Sequence, residues 1–223
     1  MSSEQHPDVA ALTVGVLGGT GDQGRGLAFR LGRAGSRVVL GSRERGRAEA
    51  AAWSLGLPRV LGADNGTCAG EADVVVVAVP WEGHHAVLES LAPALAGKVV
   101  VDCVNPLGFD GRGAYALTVP EGSAAQQAAE VLPDSRVVAA FHHVSSVLLL
   151  DDGLDTVDSD VLVLGDDRES TDLVQELASR VPGMRGVYAG RLRNAGQVEA
   201  LSANLISINR RHRTHAGLRV TGV

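Results

Sequence analysis

The chain has 223 residues, enough for one sizeable core, and 45% hydrophobic content with 28 glycines fits a compact α/β protein. A formal charge of −6, a pI near 5.6 and only two Trp, two Tyr and three Phe exclude a nucleic-acid scaffold and a base-stacking surface. Cys68 and Cys103 lack C-x-x-C spacing, so neither a disulfide framework nor a zinc site is expected.

The polar start, Met1 to Ala10, contains Pro7 and is expected to be a short tail without the basic start and apolar core of a signal peptide. No apolar run reaches transmembrane length, so a cytoplasmic protein with no membrane partner is expected. Val14, Val16 and Leu17 predict a buried parallel strand, followed by a glycine-rich turn and a helix whose apolar face is Leu27, Ala28 and Leu31, stopping at Gly35. Arg37 to Leu40 is a second strand, Glu44 to Leu55 a helix, and Arg59 to Leu61 a weakly signalled strand. Ala72 to Val79 is the clearest central strand, closed by Pro80; a helix over Glu82 to Ala96 and a strand over Val99 to Asp102 follow.

The stretch to Val119 is expected to be irregular. Ala124 to Leu132 predicts a helix, Arg136 to Phe141 and Val161 to Leu164 strands, Arg168 to Arg180 a helix and Arg185 to Tyr188 a strand. A long helix starting near Leu192 places Val198, Leu201, Leu205 and Ile208 on one face. This alternation predicts an α/β fold, a doubly wound parallel (Rossmann) sheet with a small α/β C-terminal extension. The acidic stretch Asp151 to Asp160 is the expected boundary between domains over 12–150 and 151–223.

Gly19, Gly21 and Gly24 have the G-x-G-x-x-G spacing, with a strand before and a helix after. The first glycine allows a tight turn, the second lets a pyrophosphate approach the backbone, and the third lets the helix pack closely. A lone glycine motif also fits a purely structural turn; the flanking elements favour a dinucleotide on the helix N-terminus. The second strand ends in Gly41, Ser42 and Arg43, with Arg47 one helical turn further. NAD sites usually carry an acid there, whereas NADP sites offer Arg and small hydroxyls to the 2′-phosphate. Ser42 can donate to a phosphate oxygen, and Arg43 can stack on adenine while forking onto the phosphate. Glu44 dissents, since a shift of one position makes it an NAD-type acid, and an arginine-rich solvated helix start is the bland alternative. NADP(H) is the expected cofactor of residues 12–150.

Ligands of open α/β sheets lie outside the carboxyl ends of the strands. The loops beginning at Gly18, Pro80, Asp102 and His142 therefore carry the interest. They contain Trp81, Glu82, His84 and His85, then Asn105 and Pro106, then His142, His143, Ser145 and Ser146. The histidine pairs fit metal ligands, acid–base groups or pocket walls; a metal lacks a carboxylate or thiolate partner at ligand spacing, and none is expected. Lys98, the chain's only lysine, starts a strand, at the end opposite the ligand. That argues against hydroxyacid dehydrogenases with a lysine acid and leaves no lysine for a Schiff base.

The stretches GVLGGTGDQGRGLAFRL and VVLGSRERGRAE resemble the start of the NADPH:coenzyme F420 oxidoreductases. The resemblance continues through VPWE, VVAAFHHVSS and VLGDD to RNAGQVEALSANLISINRRHRTHAGLRV, nearly the whole chain from about residue 12. It implies reversible hydride transfer between NADPH and a deazaflavin, coenzyme F420. It also implies that Thr20, Gly21, Asp22 and Gln23 hold the pyrophosphate and that Ser42, Arg43 and Arg47 hold the 2′-phosphate. Trp81, His85, Asn105 and Ser146 fall on the nicotinamide side, and His142 and the segment around Leu218 approach the deazaflavin. Val144 and Ser145 stand where some members have Ile-Pro, and Asn105 and His85 each replace an apolar residue. Hydride transfer needs two rings held about 3–3.5 Å apart in a dry site, and such positioning supplies roughly 7–11 kcal/mol without a dedicated acid. His142 or His143 is the expected proton relay to the reduced ring.

Arg210, Arg211, His212, Arg213 and His215 fit either the coenzyme's anionic tail or simply the dipole of a helix C-terminus. The C-terminal domain is expected to complete the deazaflavin site and to form a homodimer. The alternatives are an NADPH-dependent reductase of a small imine or carbonyl compound, and a non-catalytic NADP(H)-sensing protein.

Overall fold

In the computed structural model, which describes residues 9–223, the valine-rich runs pair as β-branched residues favour. Strands β1 (Thr13–Leu17), β2 (Arg37–Ser42) and β3 (Val60–Asp64) lie side by side in parallel, joined by helices α1 (Asp22–Arg33) and α2 (Arg45–Ser54). Helix α3 (Asn65–Glu71) returns the chain to β4 (Val74–Val77), which pairs with the other side of β1. Helix α4 (His84–Leu95) leads to β5 (Val99–Asp102), and α5 (Ala124–Val131) to β8 (Arg136–Ala139), both parallel. Between them stands a separate hairpin, β6 (Leu107–Asp110) and β7 (Gly113–Ala116). Helix α6 (Ser146–Leu150) precedes β9 (Ser159–Gly165), and α7 (Arg168–Ser179) connects β9 to β10 (Met184–Gly190). Helix α8 (Ala195–His212) follows a short 3-10 turn, Leu192–Asn194. The tail expected over Met1 to Ala10 lies outside the described residues except for Val9 and Ala10, and Val9 is buried.

The sheet order β10-β9-β8-β5-β4-β1-β2-β3 reverses between β1 and β4. That switch point opens a crevice at the carboxyl ends of these two strands. Apolar side chains of α1 and α7 cover one face, among them Leu27, Leu31, Val174 and Leu177. Leu88, Leu95, Ala128 and Val198 from α4, α5 and α8 cover the other. Each of these leucines and valines contributes about 1.5–3 kcal/mol on burial.

Four features differ from the sequence reading. Helix α3 is seven residues with two glycines, too short and too poor in propensity to announce itself. Capping holds it: Asp64 accepts the Thr67 N–H at 2.8 Å, and the Lys98 ammonium donates to the carbonyls of Ala69 and Ala72 at 2.6 Å. The single lysine is thus a structural cap on the far side from the crevice. The stretch expected to be irregular contains the hairpin, and α6 was not anticipated. Finally, β9 pairs with β8 in antiparallel fashion, so the sheet is not wholly parallel.

The reversal at β9 follows from α6 keeping the chain at the carboxyl end of the sheet, and Arg30 fixes this connection. Its buried guanidinium donates to the carbonyls of Leu148, Leu149, Asp151 and Leu154 at 2.6–2.8 Å. Arg30→Met should therefore lower the unfolding free energy by about 3 kcal/mol, because those carbonyls lose their donor in a buried place. A urea titration reads the effect, and an unchanged midpoint would contradict it.

Candidate active site

Three backbones converge where β1 ends. Gly18 holds a φ of +76°, and a Cβ there would lie 2.5 Å from the Ala78 carbonyl oxygen at the end of β4. The tight turn therefore belongs to Gly18, one residue before the glycine to which the spacing assigned it. Gly24 sits inside α1 against this turn, and a Cβ would meet the Gly18 carbonyl oxygen at 2.7 Å. Gly21 differs: a Cβ would meet only Gly18 at an ordinary 3.5 Å, so its open side faces the crevice. Among the described residues no side chain caps α1, which leaves its first N–H groups directed at that space.

The crevice is a cleft of about 750 Å³. Thr20, Gly21, Asp22 and Gln23 line one end, and Ser42, Arg43 and Arg47 another. Gly19 and Gly24 lie buried beneath it. Ser42 accepts the Glu44 N–H at 3.3 Å, which leaves its hydroxyl proton free to donate. Glu44 itself is exposed at the start of α2, 3.9 Å from Arg47, and does not line the cleft. The dissenting acid is therefore out of place for a ribose hydroxyl. This donor set, a helix start without a side-chain cap among the described residues, with Ser42 and Arg43 at the end of β2 and Arg47 in the first turn of α2, fits a dinucleotide with a 2′-phosphate.

Asn65 also lines the cleft and escaped the sequence reading. It follows Asp64, which pairs in register with Ser42, and its Oδ1 is buried without a hydrogen-bond partner among the described residues. An asparagine directly after the third strand was the available signal, and the weakness of that strand hid it.

The histidine pairs divide. His84 is fully buried, with Nε2 2.6 Å from Asp102 Oδ2 and Nδ1 3.0 Å from Gln127 Oε1. Burial, the largest single effect, opposes its charge, but the hydrogen bond and charge of Asp102 together with Gln127 and Glu199 outweigh it and raise its pKa. Trp81 packs on it at 5.6 Å between ring centroids, whereas His85 is exposed on α4. The network of His84, Asp102 and Gln127 ties the loops after β4 and β5 together. Nearby, Glu199 of α8 accepts the N–H groups of Ala124 and Ala125, and its burial pushes its pKa up to about 7.

His142 and His143 follow Phe141, which holds a φ of +64° while buried. The Phe141 carbonyl accepts Gln23 Nε2 at 3.3 Å, and the His142 carbonyl accepts Asn105 Nδ2 at 2.7 Å and Ser202 Oγ at 2.9 Å. Neither ring nitrogen of His142 completes a hydrogen bond among the described residues. Burial pushes the His142 pKa down to about 4, against the pull of Asp102. His143 is likewise held at about 4 by burial, and its Nε2 accepts the Leu162 N–H at 3.3 Å. The relay expected of either histidine thus has one free ring, that of His142, and it is neutral at physiological pH.

Asn105 and His142 are brought together, while Ser146 begins α6. Leu218 is pinned to the start of β9, its carbonyl accepting the Asp160 N–H at 2.7 Å. Because β9 is antiparallel, that start lies at the carboxyl end of the sheet. Among the described residues no group of three His, Cys, Asp or Glu is placed to hold a metal. No helix among them is long and apolar enough to cross a membrane.

Residues 13–106 match the family model described as NADP oxidoreductase, coenzyme F420-dependent. The chain is similar to the F420-dependent NADP reductase of Methanothermobacter marburgensis, 39% identical over 95% of this chain and 99% of the relative. That of Methanocaldococcus jannaschii is 35% identical over 95% and 99%. A crystal structure from Arthrobacter sp. FB24, provisionally assigned to the same enzymes, superimposes with a TM-score of 0.82 at 27% identity, over 95% of this chain and all 100% of that one. The chain belongs to the coenzyme F420-dependent NADP reductases.

Proposed function

We propose that this chain moves a hydride reversibly between NADPH and coenzyme F420. The observation that carries this reading is the hydrogen bond from Gln23, in the dinucleotide cleft, to the Phe141 carbonyl. It places the start of α1 against the loop whose next residue presents a buried imidazole, neither ring nitrogen of which completes a hydrogen bond among the described residues. In this reading the cleft for the nicotinamide dinucleotide lies beside the loop that would meet the deazaflavin.

Gly19, Thr20, Gly21, Asp22, Gln23 and Gly24 would hold the pyrophosphate, and Ser42, Arg43 and Arg47 the 2′-phosphate. Trp81, His85, Asn105 and Ser146 would flank the nicotinamide, and His142 and Leu218 the deazaflavin. When bound, the two coenzymes supply the redox chemistry themselves. His142, kept neutral by burial, can give or take one hydrogen bond at a ring nitrogen without charging the site. Its fixed carbonyl, bonded to Asn105 and Ser202, holds the loop in place. The demand on the protein is positioning, which suits a chain whose only lysine is a helix cap. A homodimer in the cytoplasm, with residues 151–223 at its interface, belongs to the same proposal.

Arg43→Ala should weaken NADPH binding about 10–100-fold and leave NADH unchanged, since a forked contact to a phosphate is lost. Equal losses for both nucleotides would place the 2′-phosphate elsewhere. Mixing the protein, NADPH and oxidised coenzyme F420 should bleach the deazaflavin's visible absorbance. Because the His142 pKa is depressed to about 4, its proton is already absent above about pH 5, so the rate should show no His142 inflection between pH 6 and 8. No bleaching while NADPH still binds overturns the deazaflavin reading. An inflection near pH 6.5 that His142→Asn abolishes overturns the role given to His142.

A further inference from the structure

The hairpin β6–β7 and the last turns of α8 take no part in the cleft at Gly18, yet both depart from one point. Asn105 stands two residues before β6 and Ser202 lies on α8, and both donate to the His142 carbonyl. From there the two walls run on together, with β7 packed on α8, and enclose a second cleft of about 880 Å³. Ile206 and Phe109 give it apolar walls, while Arg210, Arg211 and His212 face Arg112 of the hairpin. At 1.5 Å per residue, Ile206 and Arg210 stand about 6 and 12 Å along the helix from Ser202.

Asp110 is the acid in this lining. Its Oδ1 accepts the Arg112 N–H at 2.7 Å and its Oδ2 lies 3.7 Å from Arg112 Nε, so it serves the hairpin turn. Among the described residues neither Arg210 nor Arg211 has a carboxylate partner. Cations suit the C-terminus of any helix. The dipole of α8 does not account for an arginine on a different element facing them, or for a cleft between the two.

We propose that this cleft receives the anionic tail of the deazaflavin, its phosphodiester and glutamate carboxylates. The inference rests on the function proposed above and extends it to the part of the coenzyme that does no redox chemistry. Guanidinium forks match phosphate and carboxylate oxygens in pairs, and the apolar walls suit the linking chain. The tail then selects the whole coenzyme over its tail-free chromophore.

Quenching of deazaflavin fluorescence, measured for coenzyme F420 and for the tail-free chromophore across a salt series, tests this. The coenzyme should bind about 10-fold or more tightly than the chromophore at low salt, and added salt should shrink the difference. The double substitution Arg210→Ala, Arg211→Ala should abolish the difference and leave the affinities for chromophore and NADPH unchanged. Equal affinity of the wild-type chain for both ligands, or a double variant that keeps the difference, overturns the tail site and leaves hydride transfer to the chromophore standing. Binding of neither ligand by a chain that still binds NADPH removes the deazaflavin function itself, and the tail site with it. If the double variant does not fold, Arg112→Ala gives the same reading. A several-fold loss for the coenzyme alone supports the site, and no loss overturns it.

Discussion

The peptide carrying Phe141 and His142 joins the parts of this molecule that act together. Phe141 holds a left-handed φ that costs a bulky L-residue of order 1–3 kcal/mol. Three side chains from three elements hold the segment in that state: Gln23 from α1, Asn105 from the loop after β5, and Ser202 from α8. Each grips a backbone carbonyl, and His143 adds a side-chain anchor by accepting the Leu162 N–H. The buried imidazole of His142 is set relative to the glycine-rich turn by this arrangement. Strain maintained by so many independent contacts is a feature of sites that must be preorganised.

The dinucleotide half of the site was legible because its chemistry is local. Gly18 to Gly24 occupy one turn and one helix start, and Ser42, Arg43 and Arg47 one strand end, so spacing along the chain maps directly onto space. The assignment of the tight turn to Gly19 missed by one residue, since which glycine takes positive φ depends on the Ala78 carbonyl of a distant strand. Long apolar runs such as Val74–Val77 announced the sheet in the same local way. What could not be read depends on tertiary partners. Helix α3 exists through Asp64 and Lys98, and the direction of β9 through Arg30 and α6. His84 stood beside His85 in the sequence with nothing to separate them. Only folding shows one fully buried on Asp102 and the other in solvent.

Charge is used differently at different depths. Below the crevice, His84 and Asp102 form a buried pair and Glu199 caps α5, where losing one partner leaves the other stranded. At the rim, Arg43, Arg47, Arg210 and Arg211 are exposed, suited to recruiting anions in a salt-dependent way. Between them His142, its pKa lowered by burial to about 4, is polar but uncharged at neutral pH. A net negative chain thereby presents arginines at the ends of its clefts and neutrality at the middle.

The central claim is direct hydride passage between two coenzymes held side by side. It is tested by supplying NADPH with deuterium at both positions of nicotinamide carbon 4, and weighing the reduced deazaflavin by mass spectrometry. One deuterium carried onto the deazaflavin in each turnover is the expected result. Reduced deazaflavin that has taken its new hydrogen from water, with the deuterium lost from the nicotinamide released to solvent, would contradict it.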